Sequence, residues 1–125
     1  MQSKMSVVVA VVLLTVSCAS SRGGVDTDRE LAAGVKAARA GYWQEAHFRF
    51  EKASTAKPGD ADILNNLAVS LEALGRFDEA LATYKKALEI EPRNTRIRRN
   101  YARFAEFYTS YARGVLPKGA FDANR

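Results

Sequence analysis

The stretch from Ala61 to Asn94 reads ADILNNLAVSLEALGRFDEALATYKKALEIEPRN, and it determines the fold of the chain. Apolar residues recur in it at spacings of three and four, which is the period of an amphipathic helix, on both sides of a break at Gly75. Gly75 can adopt the positive φ that closes a first helix, and Pro92 stands where a second helix must stop. The stretch therefore predicts a helical hairpin.

The same pattern occurs again 34 residues earlier. Six positions have counterparts of the same size class, and the pairs are Gly75 and Gly41, Phe77 and Trp43, Ala80 and Ala46, Tyr84 and Phe50, Ala87 and Ala53, and Pro92 and Pro58. Residues 61–94 resemble a tetratricopeptide repeat over its full length, and residues 27–60 form the preceding copy. The resemblance implies antiparallel helical hairpins stacked as an α-solenoid.

The second repeat is followed by one further predicted helix. Asn94 or Thr95 can cap it, and Gly114 can end it after about Arg113. Thr109 stands where the earlier repeats have their closing glycine, so we expect no second helix after it. We predict an all-α fold with a helical domain over residues 27–113, made of repeats 27–60 and 61–94 and a long capping helix, 95–113.

Composition limits the classes of function. The chain of 125 residues allows one domain, and its single cysteine and single histidine exclude a disulfide framework or a multi-Cys, multi-His zinc site. The net charge of +5 is too small to indicate nucleic-acid binding. Paired carboxylates, a glycine-rich phosphate loop and a nucleophile–base spacing do not appear in the sequence. We therefore expect no enzyme activity, metal or cofactor, and we expect His47 to face solvent.

Residues 1–17 have the composition of a secretory signal. Lys4 precedes an apolar run of 12 residues, which is too short to span a bilayer. The sequence LTVSC, ending at Cys18, resembles a bacterial lipobox, and lipidation would account for a lone cysteine in an exported chain. We expect residues 1–17 to be cleaved, Cys18 to be lipidated and residues 18–26 to form a flexible tether. Ordinary signal cleavage and a retained anchor are the alternatives.

The residue after the cysteine bears on localisation. It is Ala19, whereas an aspartate there would resemble the inner-membrane retention signal of enteric bacteria. The resemblance implies a protein of the bacterial cell envelope, anchored in the outer membrane and facing the periplasm. A secreted or periplasmic protein is the alternative. Export also argues against a nucleic-acid partner.

The tetratricopeptide resemblance implies a peptide-binding groove lined by the first helix of each repeat. Carried over by position, the groove residues are Leu31, Val35 and Arg39, then Asn65, Asn66, Val69 and Glu72, and then Arg96, Arg99, Arg103 and Phe107, with Asp28 and Asp62 beside them. The arginines of the capping helix share one helical face, so the groove would combine apolar patches with a basic wall. Such a groove suits a protein or peptide with an acidic group and an apolar anchor. Only Asn66 and Arg96 fit the two-carboxylate clamp of chaperone-binding members, so no true clamp is expected.

These features predict a non-enzymatic protein-interaction module, a lipid-anchored scaffold or assembly factor. The alternative is a pilotin-like accessory lipoprotein for type IV pilus or secretion-system assembly. Two and a half repeats are near the lower limit for a stable stack, which favours a partner or a homo-oligomer.

Two features of the C-terminal region leave alternatives open. Five aromatic residues lie between Tyr101 and Tyr111, and with the arginines they form either a solvated cap or a binding or dimer surface. Phe107 and Tyr111 are hard to bury against the second repeat. The tail, residues 114–125, is either disordered or docked through Leu116 and Phe121.

Overall fold

The computed structural model describes residues 24–114, and this part of the chain forms five α-helices. They are α1 (Thr27–Arg39), α2 (Trp43–Ala56), α3 (Ala61–Ala73), α4 (Phe77–Ile90) and α5 (Thr95–Ala112). The predicted all-α fold, with two hairpins and a long terminal helix, is confirmed. The predicted signal segment, Cys18, most of the tether and the tail beyond Gly114 lie outside the described residues.

Local sequence signals set where the helices begin and turn. Asp60 and Asn94 cap α3 and α5, and each accepts two backbone N–H bonds from the first turn through one side-chain oxygen. Both hairpins close at a glycine in the left-handed region, Gly41 with φ 81° and Gly75 with φ 74°. The turn chemistry therefore reverses the chain at the same point in each repeat.

Small residues let the two helices of each hairpin approach closely. Ala46, Ala53, Ala80 and Ala87 are each 0% exposed. At Gly34 a Cβ atom would lie only 2.5 Å from the Phe50 ring, so the glycine is required by close packing. These positions explain why the small residues recur at the repeat period.

The helices stack so that α1, α3 and α5 lie side by side, each contacting the next. α2 packs on α1 and α3, while α4 packs on α3 and α5. Helix α5 joins the stack through Ile97 and Phe104, which are both fully buried. The row of α1, α3 and α5 contains all the predicted groove residues.

Candidate functional site

The residues that α1 was predicted to contribute lie together at the surface. Leu31, Val35 and Arg39 line an open cavity of about 500 Å³, next to Asp28 and Lys36. Leu31 and Val35 are half-buried because they also pack on the core around Phe50, while Arg39 is exposed. This cavity, which we call the α1 cavity, offers apolar contact area beside cationic side chains.

Asn65 does not lie where the sequence analysis placed it. It is only 2% exposed, and its Oδ1 accepts a hydrogen bond of 3.0 Å from Nδ2 of Asn100. It therefore ties α3 to α5 and is not available to a bound peptide. Its neighbours Asn66 and Val69 are half-buried, and Val69 packs against the aromatic core. A period-based assignment could not have found the Asn65–Asn100 bond, because that bond depends on how α5 packs.

The predicted basic wall on α5 is partly neutralised by α3. Arg96 forms an ion pair with Asp62, and Nη2 of Arg103 lies 3.3 Å from Oε2 of Glu72. Glu72 also accepts a 3.0 Å hydrogen bond from the Tyr84 hydroxyl. Two of the three predicted wall arginines therefore connect α5 to α3 across the row of helices.

Three other cations of α1 and α5 keep their charge uncompensated. Within residues 24–114, no ion pair is formed by Lys36, Arg39 or Arg99. Arg99 lies instead at a second open cavity, beside Leu88 and Tyr101. The cations available to an acidic ligand are thus at the two ends of the helical row.

Phe107, predicted as a groove residue, is used for packing within the chain. Its ring lies 5.0 Å from the Phe77 ring in an edge-to-face arrangement, and the Tyr111 ring lies 4.9 Å from Phe77. The expectation that Phe107 and Tyr111 resist burial was wrong, since Phe77 at the start of α4 half-buries both. Tyr108 donates a 2.5 Å hydrogen bond to Asp78, and this bond raises the pKa of the tyrosine. The aromatic residues of α5 therefore form a cap on the second repeat.

His47 is also less exposed than predicted. Its Nε2 accepts a 2.9 Å hydrogen bond from Nη1 of Arg76, and its Nδ1 lies 3.4 Å from the Ser70 hydroxyl. Burial, and then the charge of Arg76, lower the pKa of His47, while Glu51 and Glu79 oppose this effect. The neutral ring links the first hairpin to the second.

The neighbouring serine has no catalytic geometry. Ser70 is fully buried, and its hydroxyl donates a 2.7 Å bond to the carbonyl of Leu67. Because that proton is committed to the backbone, His47 Nδ1–H is the donor to Ser70. The pair is a structural contact between helices.

Residues 24–114 contain neither a metal-binding cluster nor a membrane-spanning helix. This part of the chain brings together no group of three His, Cys, Asp or Glu side chains that could hold a metal ion. None of its helices combines the length and the apolar character needed to cross a membrane.

Comparisons with known proteins agree with the observed architecture. The tetratricopeptide repeat family model matches residues 61–94. The TPR repeat-containing protein MJ1428 of Methanocaldococcus jannaschii is 40% identical over 50 residues, which are 40% of this chain and 9% of that protein. The solved structure of a MamA mutant is similar with a TM-score of 0.61 and 25% identity, over 71% of this chain and 65% of that one. This chain thus spans only part of the length of each.

The match at residues 61–94 covers the hairpin of α3 and α4, and α1 and α2 repeat its geometry. Residues 61–94 thus form a tetratricopeptide repeat, and the five helices of the described residues have a TPR-like arrangement of antiparallel hairpins.

Proposed function

We propose that this protein is a non-enzymatic interaction module that binds a segment of a partner protein along α1 and α3. The α1 cavity is the observation that carries the proposal. It places half-buried Leu31 and Val35 next to Arg39, whose charge no described residue neutralises. An apolar anchor followed by a carboxylate is the partner chemistry that fits this arrangement.

The paired arginines of α5 have a smaller part in this proposal. Binding an acidic group at Arg96 or Arg103 would displace Asp62 or Glu72. Both arginines are exposed, and ion pairs at the protein surface contribute about 0–1 kcal/mol each, so the exchange gains little. The acidic group of the partner is therefore expected at Arg39.

A photo-crosslinking experiment tests the surface. A benzophenone side chain at position 35 is expected to capture a partner in the cells that produce the protein, whereas the same group at position 82 is not, because Ala82 is an exposed residue of α4 outside the proposed surface. Arg39→Glu should abolish capture, while Lys85→Glu, at an exposed cation on α4, should preserve it. Equal capture from positions 35 and 82, or capture that survives Arg39→Glu, contradicts the proposal.

We further propose that the module is a lipid-anchored scaffold or assembly factor of the bacterial cell envelope, held in the outer membrane through Cys18. The support is the apolar run after Lys4 and the lipobox-like sequence that ends at Cys18. A pilotin-like accessory lipoprotein is the narrower form of the same proposal. Metabolic labelling with radioactive palmitate should mark the wild-type chain and leave Cys18→Ser unlabelled. An unlabelled wild type contradicts the lipid anchor and leaves the α1 cavity proposal intact.

A further inference from the structure

Three equivalent positions of α1, α3 and α5 differ in their exposure to solvent. At the fourth, eighth and eleventh positions of the repeat, α1 has Glu30, Gly34 and Ala37, α3 has Leu64, Ala68 and Leu71, and α5 has Arg98, Ala102 and Ala105. All six residues of α1 and α3 are buried. On α5, Arg98 and Ala102 are exposed and Ala105 is half-buried. The face that is covered in both repeats is therefore open on α5.

In each repeat the second helix of the hairpin covers this face. Gly34 meets the Phe50 ring of α2, and Ala68 shares a core cluster with Tyr84 of α4. Among residues 24–114, no helix follows α5 to do the same. The face instead forms one wall of the second open cavity described above, beside Arg99. This cavity has a volume of about 580 Å³, and Leu88 of α4 also lines it. We call this cavity the α5 slot.

The residue at the fourth position indicates which charge a helix bound in the α5 slot should carry. In the first repeat Glu30 Oε2 lies 3.0 Å from Arg49 Nη1, and Glu30 Oε1 lies 2.6 Å from Lys52 Nζ. The equivalent residue of α5 is Arg98, which has the opposite charge. A helix packed on α5 as α2 packs on α1 should therefore carry carboxylates where α2 has Arg49 and Lys52.

The same comparison disfavours a second copy of this chain as the occupant. A second-repeat helix from another copy would bring Thr83 and Lys86 to those two positions, and a first-repeat helix would bring Arg49 and Lys52. Each of these helices places at least one cation opposite Arg98, where like charges repel. The helix should otherwise resemble α2 and α4, with an aromatic residue between small ones.

We propose that the α5 slot docks an acidic amphipathic helix of a partner protein, in the place that the second helix of a third repeat would take. This surface is separate from the α1 cavity, and the proposal does not rest on the proposed function. The helix presents an aromatic side chain to Ala102 and a carboxylate to Arg98. Leu88 and Tyr101 supply the remaining apolar contacts.

A designed peptide provides the probe, because α4 already has the required shape. The peptide has the sequence of residues 77–90 with Thr83→Glu and Lys86→Glu, and the unmodified sequence is the matched control. Isolated helices of this length are marginal in water, so a hydrocarbon staple joins positions 78 and 82, which are outward-facing in α4. Fluorescence anisotropy measures binding of each labelled peptide to the full chain.

The full chain should bind the acidic peptide about tenfold more tightly than the control. Arg98→Glu should reverse that order, and Ala102→Trp should abolish binding of both peptides by filling the slot. Both substituted residues are exposed, and circular dichroism verifies that the variants fold. Equal affinities that Arg98→Glu does not alter overturn the proposal, as does the absence of binding.

Two other possible occupants of the α5 slot would each give a different experimental result. If only a chain ending at Gly114 binds the acidic peptide, residues 115–125 of the same chain compete for the slot, and the partner proposal fails. If sedimentation shows a wild-type dimer that Ala102→Trp dissociates, a second copy is the occupant, and the proposal fails as well.

Discussion

The first and second hairpins share a backbone geometry but differ in what fills it. In the first, the fourth repeat position is Glu30, which Arg49 and Lys52 of α2 hold in an ion-pair cluster. In the second the equivalent residue is Leu64, which packs with Ala87 in an apolar cluster. The small residues at the helix–helix contact are common to both. Close helix approach is thus the strict requirement of the repeat, whereas the fourth position accepts either an ion pair or an apolar contact.

The second hairpin also packs against aromatic rings of α5, and the first hairpin has no such aromatic layer. Phe104 of α5 lies 5.4 Å from the Tyr84 ring and 6.4 Å from the Phe77 ring, between centroids. Aromatic pairs of this kind add about 0.5–1.5 kcal/mol each beyond the area they bury. We therefore expect the first hairpin to open at a lower free energy than the second.

The largest expected effect is that of Phe104→Ala. Removing a fully buried ring should lower the free energy of unfolding by about 3–5 kcal/mol, measured by urea denaturation. The matched control is Phe48→Ala in the first hairpin, where the ring is 50% exposed; its removal should cost only about 1 kcal/mol, since the ring contacts Arg49 and Lys52. Similar losses from the two variants would remove the proposed asymmetry between the hairpins.

A second pair of substitutions tests the feature that the hairpins share. Ala46→Leu and Ala80→Leu should each overpack a helix contact and cost about 1–3 kcal/mol, since both positions are 0% exposed. Ala82→Leu, at an exposed position of α4, serves as the control and should change stability by less than about 0.5 kcal/mol. An unchanged melting temperature for Ala80→Leu would contradict the register of the second hairpin.

Glu30→Gln tests the ionic contact that only the first hairpin has. Hydrogen bonds from Lys52, then from Arg49, lower the pKa of Glu30 below its usual value of 4.5. Its contribution to stability is therefore present above pH 4.5 and is lost as the pH falls through the lowered pKa. The difference in melting temperature between wild type and Glu30→Gln should shrink as the pH is lowered from 7 towards 3. A pH-independent difference, like that expected for the exposed Glu89→Gln, would show that the cluster adds no ionic stabilisation.

The smallest effect concerns the link between the hairpins at His47. Since burial and Arg76 lower its pKa below 6.5, the unfolded chain binds the proton more readily than the folded one. The stabilisation is therefore complete above pH 6.5 and declines as the pH falls through the folded pKa. Wild type should lose stability on acidification from pH 7 to 5, whereas His47→Gln, which can still accept from Arg76, should lose less. An NMR titration that places the His47 pKa above 6.5 would refute this assignment.

The hairpins could be predicted from the sequence because their causes are local. A helix face follows from spacing, and the turns at Gly41 and Gly75 need positive φ, which glycine adopts without strain. The repeat offset then determined which helices stand in equivalent places. Leu31, Val35 and Arg39 could be grouped in this way because all three lie on one face of one helix.

Contacts between helices could not be predicted from the spacing of residues within one helix. The burial of Asn65 against Asn100, the ion pair of Arg96 with Asp62 and the packing of Phe107 on Phe77 all join residues far apart in the chain. Their formation depends on the distance and rotation between packed helices, on which the period of a single helix carries no information.

The sequence by itself thus determined the helices, their turns and their repeat, because backbone sterics and amphipathic spacing act within a few residues. The tertiary structure alone decided which polar side chains hold the helices together and which stay available to a partner. It also decided that the face around Arg98 is uncovered, since whether a helix face is covered depends on which other helix packs against it.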